Sequence, residues 1–298
     1  MITSNVSTDT PVSIIGLGAM GTALAKAFLK NGNKTTVWNR TVQKAAPLEG
    51  AGAIQVEAVT DALTASPLVI ICLLDYDLIY ELLVNTDPNT LQNCTVVNLI
   101  NGTPQNSRQM ASFLENKGVK AYLDGGIMAV PSLISTEHAF ILYSGPKATF
   151  ELYEPALSIL GGANYVGSDP GLASLIDLAL LSGMYGMFGG FIHAAALTKS
   201  ENIKTGEFSS ELLIPWLQAM ISVLSEMANQ IDTGNYSAGE SNISMQAAGY
   251  KNIFQASLDQ GVDAGLLIPF QSLLNRRVAD GFGKDDVAGL FEMIKAQT

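Results

Sequence analysis

The run Gly16-Leu17-Gly18-Ala19-Met20-Gly21 constrains the fold more than any other feature of the chain. Residues 12–16 (VSIIG) before it read as a short buried strand, and a helical stretch from about Met20 to Asn31 follows. A G-x-G-x-x-G spacing set between strand and helix is the phosphate-binding turn of a nucleotide-binding unit. Gly16 permits the tight turn, Gly18 lets backbone approach a pyrophosphate, and Gly21 lets helix pack on strand. The amides at the helix start face the phosphates.

The pattern then repeats. Strands are expected at 34–38, 53–56, 68–73, 95–99 and 119–123, with helices near 42–49, 58–65, 77–84 and 105–117. Such alternation gives an α/β Rossmann domain, a doubly wound and mostly parallel sheet with helices on both faces. A hairpin-like or edge segment at 138–143, a helix near 147–159 and a last strand at 163–167 close this domain, which spans 11–168 behind a flexible tail, 1–10. After Asp169-Pro170 the character changes. From Gly171 to Lys199 there is no proline, and Asp177 is the one charged residue before His193. The stretch reads as a long interdomain helix, apolar nearly all round, as in a bundle or dimer interior. Helices at 209–231, 242–260, 266–280 and 285–296 make 169–298 an all-α C-terminal domain.

The end of the second strand selects the nucleotide. NAD-binding units place a carboxylate there for the ribose 2′-hydroxyl. Here Asn39 stands in that position, Arg40 and Thr41 follow, and Lys44 lies a turn further on. Arg, Thr and Lys suit a 2′-phosphate through charge-assisted hydrogen bonds, so NADPH/NADP+ is the expected cofactor. Two later loops complete the pocket, because ligands sit outside the carboxyl ends of the strands. Cys72-Leu73-Leu74 is placed to cover the nucleotide. The segment Asn98–Pro104 brings Asn101 and Thr103 towards the nicotinamide, although Asn101 before glycine also suits an ordinary turn.

Composition limits the partners. Hydrophobic residues make up 48% and charged residues 14%, more apolar surface than one soluble subunit comfortably buries, so a large subunit interface is expected. The net charge of −11 argues against nucleic acid and anionic membranes. Asp177 and the glycines of GMYGMFGG interrupt the long apolar stretch, and no uninterrupted run reaches the roughly 20 residues of a bilayer span. The start, MITSNVSTDTP, lacks the positive region of a signal peptide, so a cytoplasmic protein is expected. Cys72 and Cys94 read as reduced core thiols. No metal-ligand cluster is visible. The two histidines, His138 and His193, leave few candidates for a histidine base.

A Rossmann domain, a long interdomain helix and a helical second domain resemble, over nearly the whole chain, the β-hydroxyacid dehydrogenases. Where those enzymes carry a catalytic lysine and paired asparagines on the long helix, this chain has Asp177 and Leu180-Leu181. Their substrate loop is replaced by Leu123–Pro131, which includes Met128. These departures are similar to the imine reductase branch, and above all to the fungal reductive aminases. The segments GLGAMGTALA, VWNRT, NGTP, GGIMAVP and DLALLSGMYG carry the likeness.

The resemblance implies catalytic roles for Asp177, for Tyr185 eight residues on, and for Asn101. It implies substrate contacts at Met128, Trp216, Met245 and Gln246. It also implies a homodimer with exchanged helical domains, and an imine, or a ketone plus an amine, as small-molecule substrate. The chemistry agrees with the exchange of lysine for aspartate. A lysine ammonium would repel an iminium, whereas a carboxylate attracts amines and stabilises the cation. In an apolar helix its pKa should rise, which suits proton delivery. Asp177 and Tyr185 lie about 80° apart around a helix and roughly 12 Å along it, so they flank one cleft without pairing. A hydroxyacid dehydrogenase is the alternative, weakened by the missing lysine and asparagines. A non-catalytic NADPH sensor is another, though it gives the lone acid no purpose.

Overall fold

The computed structural model describes residues 8–296. Its sheet is built from β1 (Val12–Ile15), β2 (Thr35–Trp38), β3 (Ile54–Gln55), β4 (Leu68–Ile71), β5 (Thr95–Asn98), β6 (Ala121–Met128), β7 (Phe140–Ser144) and β8 (Gly162–Gly167). The spatial order is β3-β2-β1-β4-β5-β6-β7-β8. Every pair is parallel except β6 with β7. All residues of β1, β2, β4 and β5 are buried, as in a parallel sheet covered on both faces. Ile14 packs with Leu24, Phe28 and Val37 on one face, and Ile15 with Leu63, Ile71 and Ile79 on the other.

The helices of this unit are α1 (Ala19–Asn31), α2 (Ala46–Glu49), α3 (Val59–Ala65), α4 (Tyr76–Leu83), α5 (Pro88–Leu91), α6 (Pro104–Asn116) and α7 (Lys147–Leu157). The register aligns Ile15 with Trp38 and Ile71, Ile71 with Asn98, and Asn98 with Asp124. The chain therefore leaves four neighbouring strands at one edge. The strand order reverses beside β1, which makes that edge the place for a ligand.

Several expectations change. The sixth strand, expected at 119–123, continues to Met128 through Gly125-Gly126, residues that lower strand propensity. Both are needed because neighbours come so close. A Cβ on Gly125 would lie 2.6 Å from Leu99 Cδ2, and one on Gly126 would lie 2.7 Å from Asp177 Cβ. The segment β7 is not at an edge. It lies between β6 and β8, and β8 takes the edge. The expected tail, 1–10, is tied down where it is described. The carbonyls of Thr8 and Thr10 accept Asn33 Nδ2 at 2.6 and 2.9 Å, while residues 1–7 lie outside the described residues.

The long helix α8 (Leu172–Lys199) starts from a fixed foot. Ala173 N–H donates to Ser144 Oγ at 3.1 Å, Gly171 N–H donates to Asp169 Oδ1 at 2.8 Å, and Arg108 pairs with Asp169 at 2.9 Å. Ala173, Ser174 and Asp177 are buried. The chain divides into two compact units after Ser182, beyond the expected boundary at 168. The first turns of α8 thus belong with the sheet.

The second unit is helical. Where one helix was expected at 209–231, there are α9 (Thr205–Phe208), a π-turn at Ser209–Leu213, α10 (Ile214–Ile221) and α11 (Val223–Thr233). Pro215 has no N–H for the carbonyl a turn earlier, and the π-turn sits directly before it. Then come α12 (Ile243–Asp259) and α13 (Ile268–Arg277), followed by a π-turn, Val278–Phe282, that places Gly281 at φ +92°. The helix expected at 285–296 is a 3-10 turn, Val287–Leu290, and α14 (Phe291–Ile294). Ile243, Leu274 and Leu290 form a small core. No span was expected, yet by length and composition alone two helical stretches among the described residues, Leu172–Lys199 and Thr205–Thr233, are long and apolar enough to cross a bilayer.

Candidate active site

A cleft of about 420 Å³ opens over the glycine turn, between the ends of β1, β2 and β4. Gly16 has φ +102°, and a Cβ on it would lie 2.3 Å from the Cys72 carbonyl oxygen. A Cβ on Gly21 would lie 2.0 Å from the Gly16 carbonyl oxygen. A Cβ on Gly18, by contrast, would meet nothing within 4 Å, and the residue is exposed. Two glycines are thus consumed by packing, while the middle one leaves backbone open towards the cleft, as a dinucleotide pyrophosphate requires.

The expected residues Gly16, Leu17, Gly18, Met20 and Gly21 line this cleft, and so do Asn39, Arg40, Thr41, Lys44, Cys72, Leu73 and Leu74. Ala19 begins α1 beside it, exposed. Asn39 also braces the turn. Its Oδ1 accepts Leu17 N–H at 2.9 Å, and its Nδ2 donates to the Thr41 carbonyl at 2.9 Å. It locks the end of β2 to the glycine turn, and Arg40, Thr41 and Lys44 line the cleft beside it. Trp38, Leu78, Glu81 and Leu82 also line the cleft and were missed. Leu78, Glu81 and Leu82 are spaced i, i+3, i+4, one face of α4, so helical periodicity was the available signal. The Cys72 and Cys94 thiols are free, and burial pushes each up to about 11.

Along the same sheet edge, Asn101 and Asp177 meet. Asn101 Nδ2 donates to Asp177 Oδ2 at 2.7 Å. Asp177 is only 4% exposed. Burial raises its pKa above the usual carboxylate range, the Asn101 bond opposes the rise, and the negative charge of Asp124 adds to it. A carboxyl so placed holds a proton more readily than a free aspartate and can return it. Neither Asn101 nor Thr103 lines the glycine-turn cleft. Thr103 caps α6, its Oγ1 accepting Asn106 N–H at 3.2 Å.

Met128 ends β6, half-buried. Tyr185, Trp216 and Met245 belong to the second unit and are exposed, at 65%, 60% and 58%. The Tyr185 ring meets Phe188 edge-on at 6.2 Å. Gln246, on α12, is half-buried. His193, one of the two candidates for a histidine base, is buried with Nε2 3.0 Å from Ser257 Oγ. Among the described residues no group of His, Cys, Asp and Glu is arranged to hold a metal ion.

Comparison with known proteins agrees with this geometry. Residues 11–167 match the NAD binding domain of 6-phosphogluconate dehydrogenase. Residues 169–296 match the NADPH-dependent reductive aminase-like C-terminal domain. The chain is 46% identical over 287 residues to the NADPH-dependent reductive aminase of Aspergillus oryzae, covering 95% of this chain and 97% of that one. A reductive aminase from Aspergillus terreus, in complex with NADPH4, cyclohexanone and allyl amine, superposes with a TM-score of 0.91 at 46% identity, over 96% of this chain and all of that one (100%). An imine reductase from the same species, in complex with NADPH4 and dibenz[c,e]azepine, gives 0.90 at 45% identity, over 97% and 100%. With a dinucleotide turn at one end of the sheet edge and a buried aspartate in place of a lysine at the other, this chain belongs to the family of NADPH-dependent reductive aminases and imine reductases.

Proposed function

We propose that this chain joins a small ketone to an amine and reduces the resulting C=N bond with NADPH, with Asp177 as its proton-handling group. The observation that carries this reading is the 2.7 Å bond from Asn101 to Asp177. The cleft suits the cofactor: Gly18 leaves room for the pyrophosphate, and Arg40, Thr41 and Lys44 on the cleft wall would hold the 2′-phosphate. When bound, NADPH supplies the hydride.

The chain's own residues do the rest. As a carboxylate, Asp177 attracts the amine and stabilises the iminium cation, which a lysine would repel. As a carboxyl, it supplies the proton that lets the carbinolamine oxygen leave as water. Asn101 holds the Asp177 carboxyl in place and offers its amide to the carbonyl or carbinolamine oxygen. Tyr185 assists proton transfer or shapes the pocket, and Met128, Trp216, Met245 and Gln246 bound the substrate.

The working form in this reading is a cytoplasmic homodimer with exchanged helical domains, the helices of one copy completing the cleft of the other. Large apolar side chains left open on a single chain, such as Ile192 at 61%, Trp216 at 60% and Leu224 at 59%, support a second copy as their cover. Sedimentation should give twice the chain mass without detergent.

The deciding experiment follows NADPH oxidation with a cyclic imine, and with cyclohexanone plus a primary amine. Turnover on both supports the reading. Turnover on hydroxyacids with NADP+, and none on imines, defeats it in favour of a hydroxyacid dehydrogenase. Tight NADPH binding with no turnover on any of these substrates defeats it in favour of a sensor.

A further inference from the structure

A second carboxyl lies behind the Asn101–Asp177 pair, and the chemistry above does not use it. Asp124, on β6, is completely buried. Its Oδ1 accepts the Tyr122 hydroxyl at 2.7 Å, Asn98 Nδ2 at 3.0 Å and the Tyr76 hydroxyl at 3.1 Å. Its Oδ2 accepts Ser174 Oγ at 2.7 Å and Ser107 Oγ at 2.9 Å. Ser107 Oγ also lies 3.0 Å from the Tyr76 hydroxyl and 2.7 Å from Ser174 Oγ; each hydroxyl has one proton, so these contacts are alternatives to the bonds with the carboxyl. Each of these partners can donate, and none is a cation. A ring of neutral donors around a buried carboxyl is the arrangement that holds an anion where no counter-charge is present.

The donors come from the elements that frame the active site. Asn98 ends β5, directly before the Asn101 loop. Ser107 is on α6, which follows that loop. Ser174 is on α8, less than one turn ahead of Asp177. Tyr76 opens α4, and its ring fills the space beneath Gly102, where a Cβ would lie 2.4 Å from Cε2. Tyr122 is on β6 itself, and Gly126 of that strand lies against Asp177.

We propose that Asp124 is a positioning residue of the active site: its buried charge gathers β5, α4, α6 and α8 so that Asn101 meets Asp177, and it supplies the fixed negative field in which Asp177 exchanges its proton. The inference rests on the role given to Asp177 above. Two neighbouring carboxyls resist ionising together. Burial holds both carboxyls above the usual range; the bonds from Tyr122, Ser174, Asn98 and Ser107 oppose the rise at Asp124, and only the bond from Asn101 opposes it at Asp177. With five donors converging on Asp124 and one on Asp177, the geometry favours Asp124 as the anion of the pair and Asp177 as the group that exchanges the proton. Besides Asp177 on α8, the titratable groups facing Asp124 among the described residues are Tyr76 on α4 and Tyr122 on β6; burial pushes both phenols up, so they stay neutral donors.

The test compares wild type with Asp124→Asn, Tyr122→Phe, Ser174→Ala and Asp177→Asn. Three readouts are taken: kcat against pH, NADPH Kd, and titration of the Asp177 carboxyl by 13C NMR, assigned by its loss in Asp177→Asn. In Asp124→Asn the expected kcat loss is on the order of tenfold, with NADPH Kd within about twofold, since none of these residues lines the glycine-turn cleft. Removing the anion eases ionisation of Asp177, so its limb in the pH profile and its NMR midpoint both move to lower pH. Tyr122→Phe and Ser174→Ala remove one donor each and move both the same way by less; they carry the test alone if Asp124→Asn does not fold. An unmoved limb and midpoint, with only thermal stability lowered, overturns the proposal. The NMR titration reads the field without turnover, so it separates this failure from that of the Asp177 reading. Full turnover in Asp177→Asn sinks the Asp177 role, and the positioning role with it.

Discussion

Asn101 donates to Asp177 from a position 76 residues earlier in the chain, at 2.7 Å. The loop after β5 supplies the donor and the second turn of α8 the acceptor, and each is held by its own anchors. The bond therefore joins two preformed surfaces, as precise positioning of a catalytic group requires.

Asp177→Ala should lower kcat on imines by roughly 10²–10⁴-fold, the range of a lost general acid–base group. NADPH Kd should stay unchanged, because Asp177 does not line the glycine-turn cleft. Asn101→Ala, which removes the orienting bond and the amide offered to the substrate oxygen but leaves the proton-handling carboxyl, should cost less, on the order of tenfold. Steady-state kinetics with cofactor titration by fluorescence checks both, and undiminished activity in Asp177→Ala would remove it from the mechanism.

Asp177 should also act against stability. Its folded pKa is raised above the unfolded value, chiefly by burial. A raised acid favours folding below the unfolded pKa, and that contribution is lost as pH rises through the folded one. Once the pH passes the folded pKa, the wild type carries a desolvated charge that Asp177→Asn lacks. The variant should unfold at a higher temperature at pH 7, by a few degrees for about 1 kcal/mol. The advantage should shrink on acidification. A lower Tm at pH 7 would contradict the sign.

The glycines of the turn should separate folding from binding. Gly21→Ala drives a methyl to 2.0 Å from the Gly16 carbonyl oxygen and should cost about 2–4 kcal/mol. Gly18→Ala meets nothing within 4 Å and should leave Tm intact while weakening NADPH. Thermal melts with and without cofactor distinguish them. Equal melting of the two variants would count against this division of labour.

Arg40→Ala should weaken NADPH by about 10- to 100-fold, the worth of a charge-assisted phosphate contact, and leave NADH nearly unchanged. Asn39→Asp keeps an acceptor for Leu17 N–H but loses the donor to the Thr41 carbonyl and sets a negative charge beside Arg40. It should shift preference towards NADH. Measured kcat/KM for both cofactors decides, and a ratio unmoved by either change would show that the 2′-phosphate is read elsewhere.

Much of the fold was legible because its rules are local. Gly16 to Gly21 announce a phosphate turn through their spacing alone, since a missing Cβ decides what backbone can approach. Arg40, Thr41 and Lys44 sit within a few positions of the strand end, so their place on the cleft wall was also local information. Gly125-Gly126 was illegible as strand: its glycines weaken local propensity, and only the closeness of Leu99 and Asp177 explains them. Leu78, Glu81 and Leu82 were missed because the wall they form exists only once α4 leans over the end of β1.

By itself, the sequence determined the dinucleotide turn, the alternating architecture and the presence of one acid in an apolar helix. The pairing of that acid with Asn101, and the gathering of five donors around Asp124, were decided by the tertiary structure alone. The reason is physical: backbone sterics and periodicity act between residues close in the chain, whereas the charge state of a buried carboxyl depends on whatever groups the fold brings within hydrogen-bond reach, however distant in sequence.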